Sequence, residues 1–176
     1  KPVGEGDDNY GVILKMLYGQ DTSQIHSAGL GTDSSFDLME AYGVYAPKAV
    51  SGLTVTGGKF VTNFGVEVIE SPLNPNISNG LLFFYGIPFA HVGAKANYTV
   101  NSMLNVTAGL VNGWDVATDN NPGKTIIWQI ATTPLKGFIA NLQGSYGPEL
   151  LANNISKRTG LDLVLGYTGI DKLSLF

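Results

Sequence analysis

At 176 residues the chain is long enough for one domain with a sizeable buried surface, and no shift in composition divides it. Charged residues are only 14%, against ~25% in an average soluble domain, glycines number 23, and the formal charge of −4 excludes the basic face that nucleic-acid binding requires. Cysteine is absent, which removes disulfides and thiolate chemistry; no run of 18 apolar residues occurs, since even Leu81 to Ala90 carries Gly86 and Pro88, so a membrane form of this chain must be a barrel and not a helix.

Nine segments alternate apolar with polar or small residues, the period of a strand with two unlike faces. They cover residues 10–18, 36–46, 52–60, 90–99, 103–111, 125–132, 137–146, 160–168 and 172–176. Tyr10, Val12, Leu14, Met16 and Tyr18 line one face of the first segment and Lys15 the other. In the fourth, Val92, Ala94, Ala96 and Tyr98 oppose His91, Lys95 and Asn97. Val106, Ala108 and Leu110 oppose Asn105 and Thr107 in the fifth, and Ile126, Trp128 and Ile130 oppose Gln129 in the sixth. Phe138, Ala140, Leu142 and Tyr146 oppose Asn141 and Gln143 in the seventh. Leu161, Leu163, Leu165 and Tyr167 oppose Asp162 in the eighth.

The polar set is amide, hydroxyl and glycine rather than the Lys and Glu of a surface open to bulk water. A soluble lipocalin-like barrel would carry its polar face outward and charged, whereas an outer-membrane barrel turns the oily face to lipid and the polar face to a wet lumen. The fold expected is therefore all-β, a transmembrane antiparallel up-and-down β-barrel, with residues 1–176 one part, about nine strands, of a larger barrel domain. No signal peptide is visible at Lys1 to Gly4, and the final segment breaks off inside its alternation, which suggests a piece of a longer protein.

Connection lengths repeat the argument. Residues 19–35, 61–89, 112–124 and 147–159 read as long loops, and "PKAVS", "VNS", "TPLK" and "GID" as short turns between them. Short turns on one side and long loops on the other are the outer-membrane pattern, which would place the long loops outside the cell. Tyr10, Tyr18, Tyr98, Trp114, Tyr146 and Tyr167 fit interfacial aromatic girdles, with ordinary rim packing as the alternative. Lys15, Glu40, Lys59, Glu67, Glu70, His91, Lys95, Asn105 and Asp162 are the candidates for lining a lumen and selecting solutes. For the charged ones among them, ion pairs between neighbouring strands are an equal alternative.

Other chemistry is weakly marked. Asp115, Asp119, Asn120 and Asn121 could offer oxygens to Ca²⁺, but the spacing is not that of an EF-hand loop and a turn-forming Asx cluster is the better reading. His26 and His91 do not make a metal site. Neither a Ser-His-Asp order nor a phosphate loop stands out; Glu67, Glu70 and His91 are the one cluster an enzyme could use, and no enzyme, cofactor or metal is expected.

Several motifs fall in order through the middle of the chain. They are Gly58-Lys59-Phe60; Gly65 with Glu67; Ser71-Pro72-Leu73-Asn74; Pro88-Phe89, His91 and Gly93; and Asn112-Gly113-Trp114-Asp115 followed by Asp119-Asn120-Asn121. With "LYGQD" and "FDLMEAYGVY" upstream they resemble the OmpL-like family of bacterial β-barrel porins over residues 14–136. The resemblance implies an outer-membrane channel without naming a solute. The function expected is passive diffusion of small hydrophilic solutes through a barrel in outer-membrane lipid. The long loop 61–89 would serve as a constriction, a mouth cover, or a contact with another copy or a partner protein. The alternative is a blocked barrel that acts as anchor, receptor or sheath.

Overall fold

The computed structural model describes residues 8–27, 35–74, 76–170 and 173–175. Nine strands follow one another: β1 (Asn9–Tyr18), β2 (Phe36–Ala46), β3 (Leu53–Val61), β4 (Ala90–Asn101), β5 (Leu104–Val111), β6 (Thr125–Leu135), β7 (Phe138–Leu150), β8 (Asn153–Ile170) and β9 (Leu173–Leu175). Each pairs antiparallel with the next, and the sheet order is the chain order from β1 to β9. This is the all-β, up-and-down arrangement that the alternation predicts. The sheet is not closed: among the described residues no ladder joins β1 to β9.

Register keeps each face continuous, because directly opposed residues point to the same side. Val106 faces Ile130, Ile130 faces Leu142, and Leu142 faces Leu163. On the other side Thr107 meets Gln129, Gln129 meets Gln143, and Gln143 meets Asp162. Burial is inverted relative to a water-soluble protein. Val12 is 85% exposed and Leu161 70%, whereas Gln143 is 0% and Asp37 2%. An oily face open to the surroundings and a polar face shielded by protein is the pattern of a wall facing lipid.

One expected connection is absent. Residues 147–159, read as a long loop, are strand apart from a tight turn at Leu151 and Ala152, where Ala152 has φ 52°. Gly147, Pro148 and the two asparagines carried the loop signal. Pro148 is tolerated because β7 outruns β6 there: the β6 ladder ends at Tyr146, and the missing N–H falls where no strand of the sheet would accept it. The β7–β8 hairpin therefore projects past its neighbours at the rim of the long loops. At that rim, residues 19–35 contain the short helix α1 (Thr22–Ile25), and residues 62–89 contain a 3₁₀ turn at Ser71–Leu73 and the helix α2 (Leu81–Tyr85).

Candidate constriction at the long-loop rim

On the polar face, side chains answer one another across strands. Gln129 Nε2 donates to Gln143 Oε1 at 2.9 Å, and Gln143 Nε2 donates to Asp162 Oδ2 at 2.6 Å. Asn97 donates to Thr107 at 2.9 Å, and Thr99 to Asn105 at 2.7 Å. Such a ladder keeps amides and a carboxylate satisfied away from bulk water.

Loop 62–89 folds onto this face. Gly65, at φ 76°, donates its N–H to Asp162 Oδ2 on β8 at 2.7 Å. Five residues later, Glu70 meets the Lys15 ammonium on β1 at 2.7 Å, and the same ammonium lies 2.7 Å from Glu40 on β2. Five residues span at most ~18 Å, so β1 and β8 must come within reach of one short stretch: the sheet curls with its polar face inward. Between these anchors, Lys95 on β4 donates to Asn63 at 3.3 Å and lies 4.3 Å from the centre of the Phe60 ring. The loop is stiffened from within by a cluster of Ile25, Phe64, Phe83, Ile87 and Phe89, with Leu17 and Ile69 against it.

The loop's own motif residues act on its backbone. Glu67 accepts the Gly80 N–H at 2.9 Å, and Asn74 clamps Val68 through its N–H at 2.7 Å and its carbonyl at 2.8 Å. The apolar run Leu81 to Tyr85 is mostly outside: Phe83 alone of the five is buried. One helical turn cannot turn five successive side chains the same way.

Loop 112–124 locks the base of this assembly. Asp115, in the left-handed region at φ 54°, accepts the successive N–H groups of Phe89 and Ala90 through one carboxylate oxygen. His91 Nδ1 lies 3.1 Å from the Gly113 carbonyl and its Nε2 lies 3.3 Å from the Thr62 hydroxyl. Burial pushes the Asp115 carboxyl up from 3.8 to about 6, against the pull of those two N–H groups and of the Lys59 and Arg158 charges. Glu70, outside the strands, goes the other way: burial would raise its carboxyl, but the hydrogen bond from Lys15, a backbone hydrogen bond and the Lys15 charge together outweigh it and hold the carboxyl below its ordinary range.

The same loop is stitched to the projecting hairpin. Glu149 accepts from the Trp114 N–H at 2.7 Å and from the Thr125 hydroxyl at 2.8 Å. Asn121 donates to the Pro148 carbonyl at 3.2 Å, the Ala152 N–H reaches the Asn120 carbonyl at 2.8 Å, and Lys124 pairs with Asp119. The Asx oxygens considered for Ca²⁺ thus have protein donors, and no group of three or more metal-ligating side chains occurs among the described residues.

Of the candidate lining residues, Lys15, Glu40, Glu70, His91, Lys95, Asn105 and Asp162 are brought to one polar face or to the loop lying on it. Lys59 and Glu67 are engaged elsewhere. Lys59 is buried in an ion pair with Asp37 at 3.0 Å, and Glu67 holds the Gly80 N–H. Lys59 and Phe60 are both buried although adjacent, which breaks the alternation beside Gly58 at φ 132°.

Tyr10, Tyr18, Tyr98, Tyr146 and Tyr167 stand exposed on the oily face. Tyr10 stacks on Tyr45 at 5.2 Å and Tyr18 tilts on Phe36 at 4.9 Å. Trp114 differs from expectation. It turns onto the polar face, edge-on to Phe64 at 5.8 Å with the Arg158 guanidinium 4.8 Å above its ring, because the Asp115 and Glu149 hooks draw that turn inward. Sequence reasoning did not single out Asp37, Glu149 or Arg158; a carboxylate inside an otherwise oily or amide-bearing strand was the available signal for the first two.

The family described as "Putative beta-barrel porin-2, OmpL-like" matches residues 3–176, nearly the whole chain. No curated protein and no solved structure matches.

Proposed function

The chain belongs to this OmpL-like β-barrel porin family, and we propose that it forms the wall and constriction of an outer-membrane channel for passive diffusion of small hydrophilic solutes. The observation that carries the reading is the pinning of loop 62–89 between Lys15 on β1 and Asp162 on β8, across a polar face whose reverse side is oily. Such a loop narrows the water path and brings charges to it. The path then runs past Lys15, Glu40, Glu70, Lys95 and Asp162, three carboxylates to two ammoniums, and a negative excess in a confined pore favours cations. No step of catalysis is needed.

The free edges of β1 and β9 complete the reading. Unpaired backbone N–H and C=O groups cannot face hydrocarbon, so in the membrane these edges, which carry no ladder to each other among the described residues, are covered by strand pairing that closes the wall. The long loops face outward from the cell and the short turns the periplasm. A second reading, a blocked barrel serving as anchor or receptor, is favoured by the depth at which Gln143 and Ser145 are covered. Single-channel recording of the full-length protein in a planar bilayer decides between them: discrete cation-preferring openings support the channel, and a correctly inserted but silent protein supports the anchor.

A further inference from the structure

A cavity of about 210 Å³ opens at the long-loop rim between α1 and α2. Ile25, Ile69, Phe83 and Phe84 supply its apolar walls, with the two phenyl rings at right angles, 5.2 Å between centres. Asp21, Gln24, Ser71 and Asn79 complete the lining. Asp21 caps α1 without a side-chain hydrogen bond to it, and the Asn79 amide nitrogen is buried with no hydrogen-bond partner. A buried donor left unmet is costly, and a turn of the Asn79 amide into the cavity, where a ligand accepts from it, recovers that cost. The volume lies below the range of drug-sized sites, so the occupant is small.

We infer that this cavity binds an uncharged polyhydroxylated solute of monosaccharide size. Hydroxyl groups both donate and accept, which matches a carboxylate, two amides and a hydroxyl set around one space. The C–H face of a sugar ring is apolar enough to lie against Phe83 and Phe84. A lone carboxylate among neutral groups disfavours an anionic ligand by repulsion, and a simple cation, which would meet Asp21 and the phenyl faces, has no acceptor for the unmet Asn79 donor. At the outer rim the cavity would gather solute before the constriction, a role that rests on the channel reading, although the binding does not.

The test is saturation-transfer NMR on the full-length protein in nanodiscs with glucose as probe and sodium glucuronate and glycine betaine as controls. Glucose should receive saturation and the controls should not. Asn79→Leu, which removes the unmet donor, should weaken glucose binding about tenfold, the equivalent of one hydrogen bond to a buried group, and Phe84→Ala should weaken it as well. Lys136→Met, in the β6–β7 turn at the opposite, short-turn end of the sheet, should leave it unchanged, and circular dichroism checks that each variant is folded. Absence of transfer to glucose, equal transfer to all three probes, or an unaltered signal in folded Asn79→Leu and Phe84→Ala would each overturn the site. Because no current is measured, a conducting protein that ignores glucose removes this site alone, and a glucose-binding protein that carries no current removes the channel alone.

Discussion

Asp115 is where a single side chain does most to organise the rim. Its carboxylate holds two successive N–H groups where loop 62–89 enters β4, and burial raises its carboxyl to about 6. The direction fixes a pH dependence: a carboxyl whose folded value is raised adds stability that is full below its unfolded value and is lost as pH rises through the folded one. Between 3.8 and about 6 the difference is worth roughly 3 kcal/mol. Asp115→Asn keeps an oxygen for the N–H groups and removes the titration. The difference in thermal unfolding temperature between the native protein and this variant, measured from pH 4 to pH 8, should therefore shift against the native protein up to about pH 6 and level off above it. Parallel profiles would refute the assignment. Gly93 offers a second residue-scale test. A Cβ there would lie 2.2 Å from the Leu110 carbonyl oxygen on β5, so Gly93→Ala must part the β4–β5 ladder and should abolish folding into detergent, seen as loss of the strand signal in circular dichroism.

At the scale of elements, the two faces of β7 and β8 should respond in opposite ways to one kind of change. Leu163 stands on the oily face, 59% exposed, and Leu163→Arg should cost ~2–4 kcal/mol of stability near the bilayer midplane. Asn141, on the polar face opposite Val164, should accept Arg with folding intact and a changed conductance. Urea unfolding in lipid vesicles gives the first quantity and bilayer recording the second; equal destabilisation by both would remove the membrane reading. Loop 62–89 has its own tests. Glu70→Gln takes one carboxylate from the Lys15 pair, and reversal potentials in a salt gradient should move away from cation preference. Deleting residues 74–80, which include the Asn74 clamp and the Gly80 contact to Glu67, should loosen the loop and raise single-channel conductance.

For the whole molecule, the long-loop rim is one connected body. Loop 112–124, the β7–β8 hairpin and loop 62–89 are joined through Glu149, Asp115 and Trp114. Its Asx oxygens accept from backbone N–H groups, a lysine and a neighbouring amide rather than being held open for a cation. Adding a chelator to the full-length protein should therefore leave its melting temperature nearly unchanged; a sharp fall that Ca²⁺ restores would show that a metal holds the rim. The curl of the sheet around the loop also predicts that the rim outlasts the open edges. Hydrogen exchange should be slow at Gly65, Phe89 and Ala90, and fast along the free edge of β1 in detergent unless further strands cover it.

The amino-acid sequence by itself determined the strands and their faces. Period two is a local property, and residues such as Leu161, Asp162 and Leu163 declare it without reference to any neighbour. It also determined the inverted polarity, since amides opposite leucines leave a soluble core no means of construction. It did not determine where β7 ends, because Gly147 and Pro148 read as a loop, and whether a proline is tolerated depends on a neighbouring strand that stops short. Nor did it reveal that Trp114 faces inward, that Lys59 is neutralised by Asp37, or that Glu67 holds a backbone N–H. Those outcomes are pairings between residues far apart in the chain, with Gly65 meeting Asp162 and Asp115 meeting Phe89, and only the curl of the sheet brings such partners within hydrogen-bond distance.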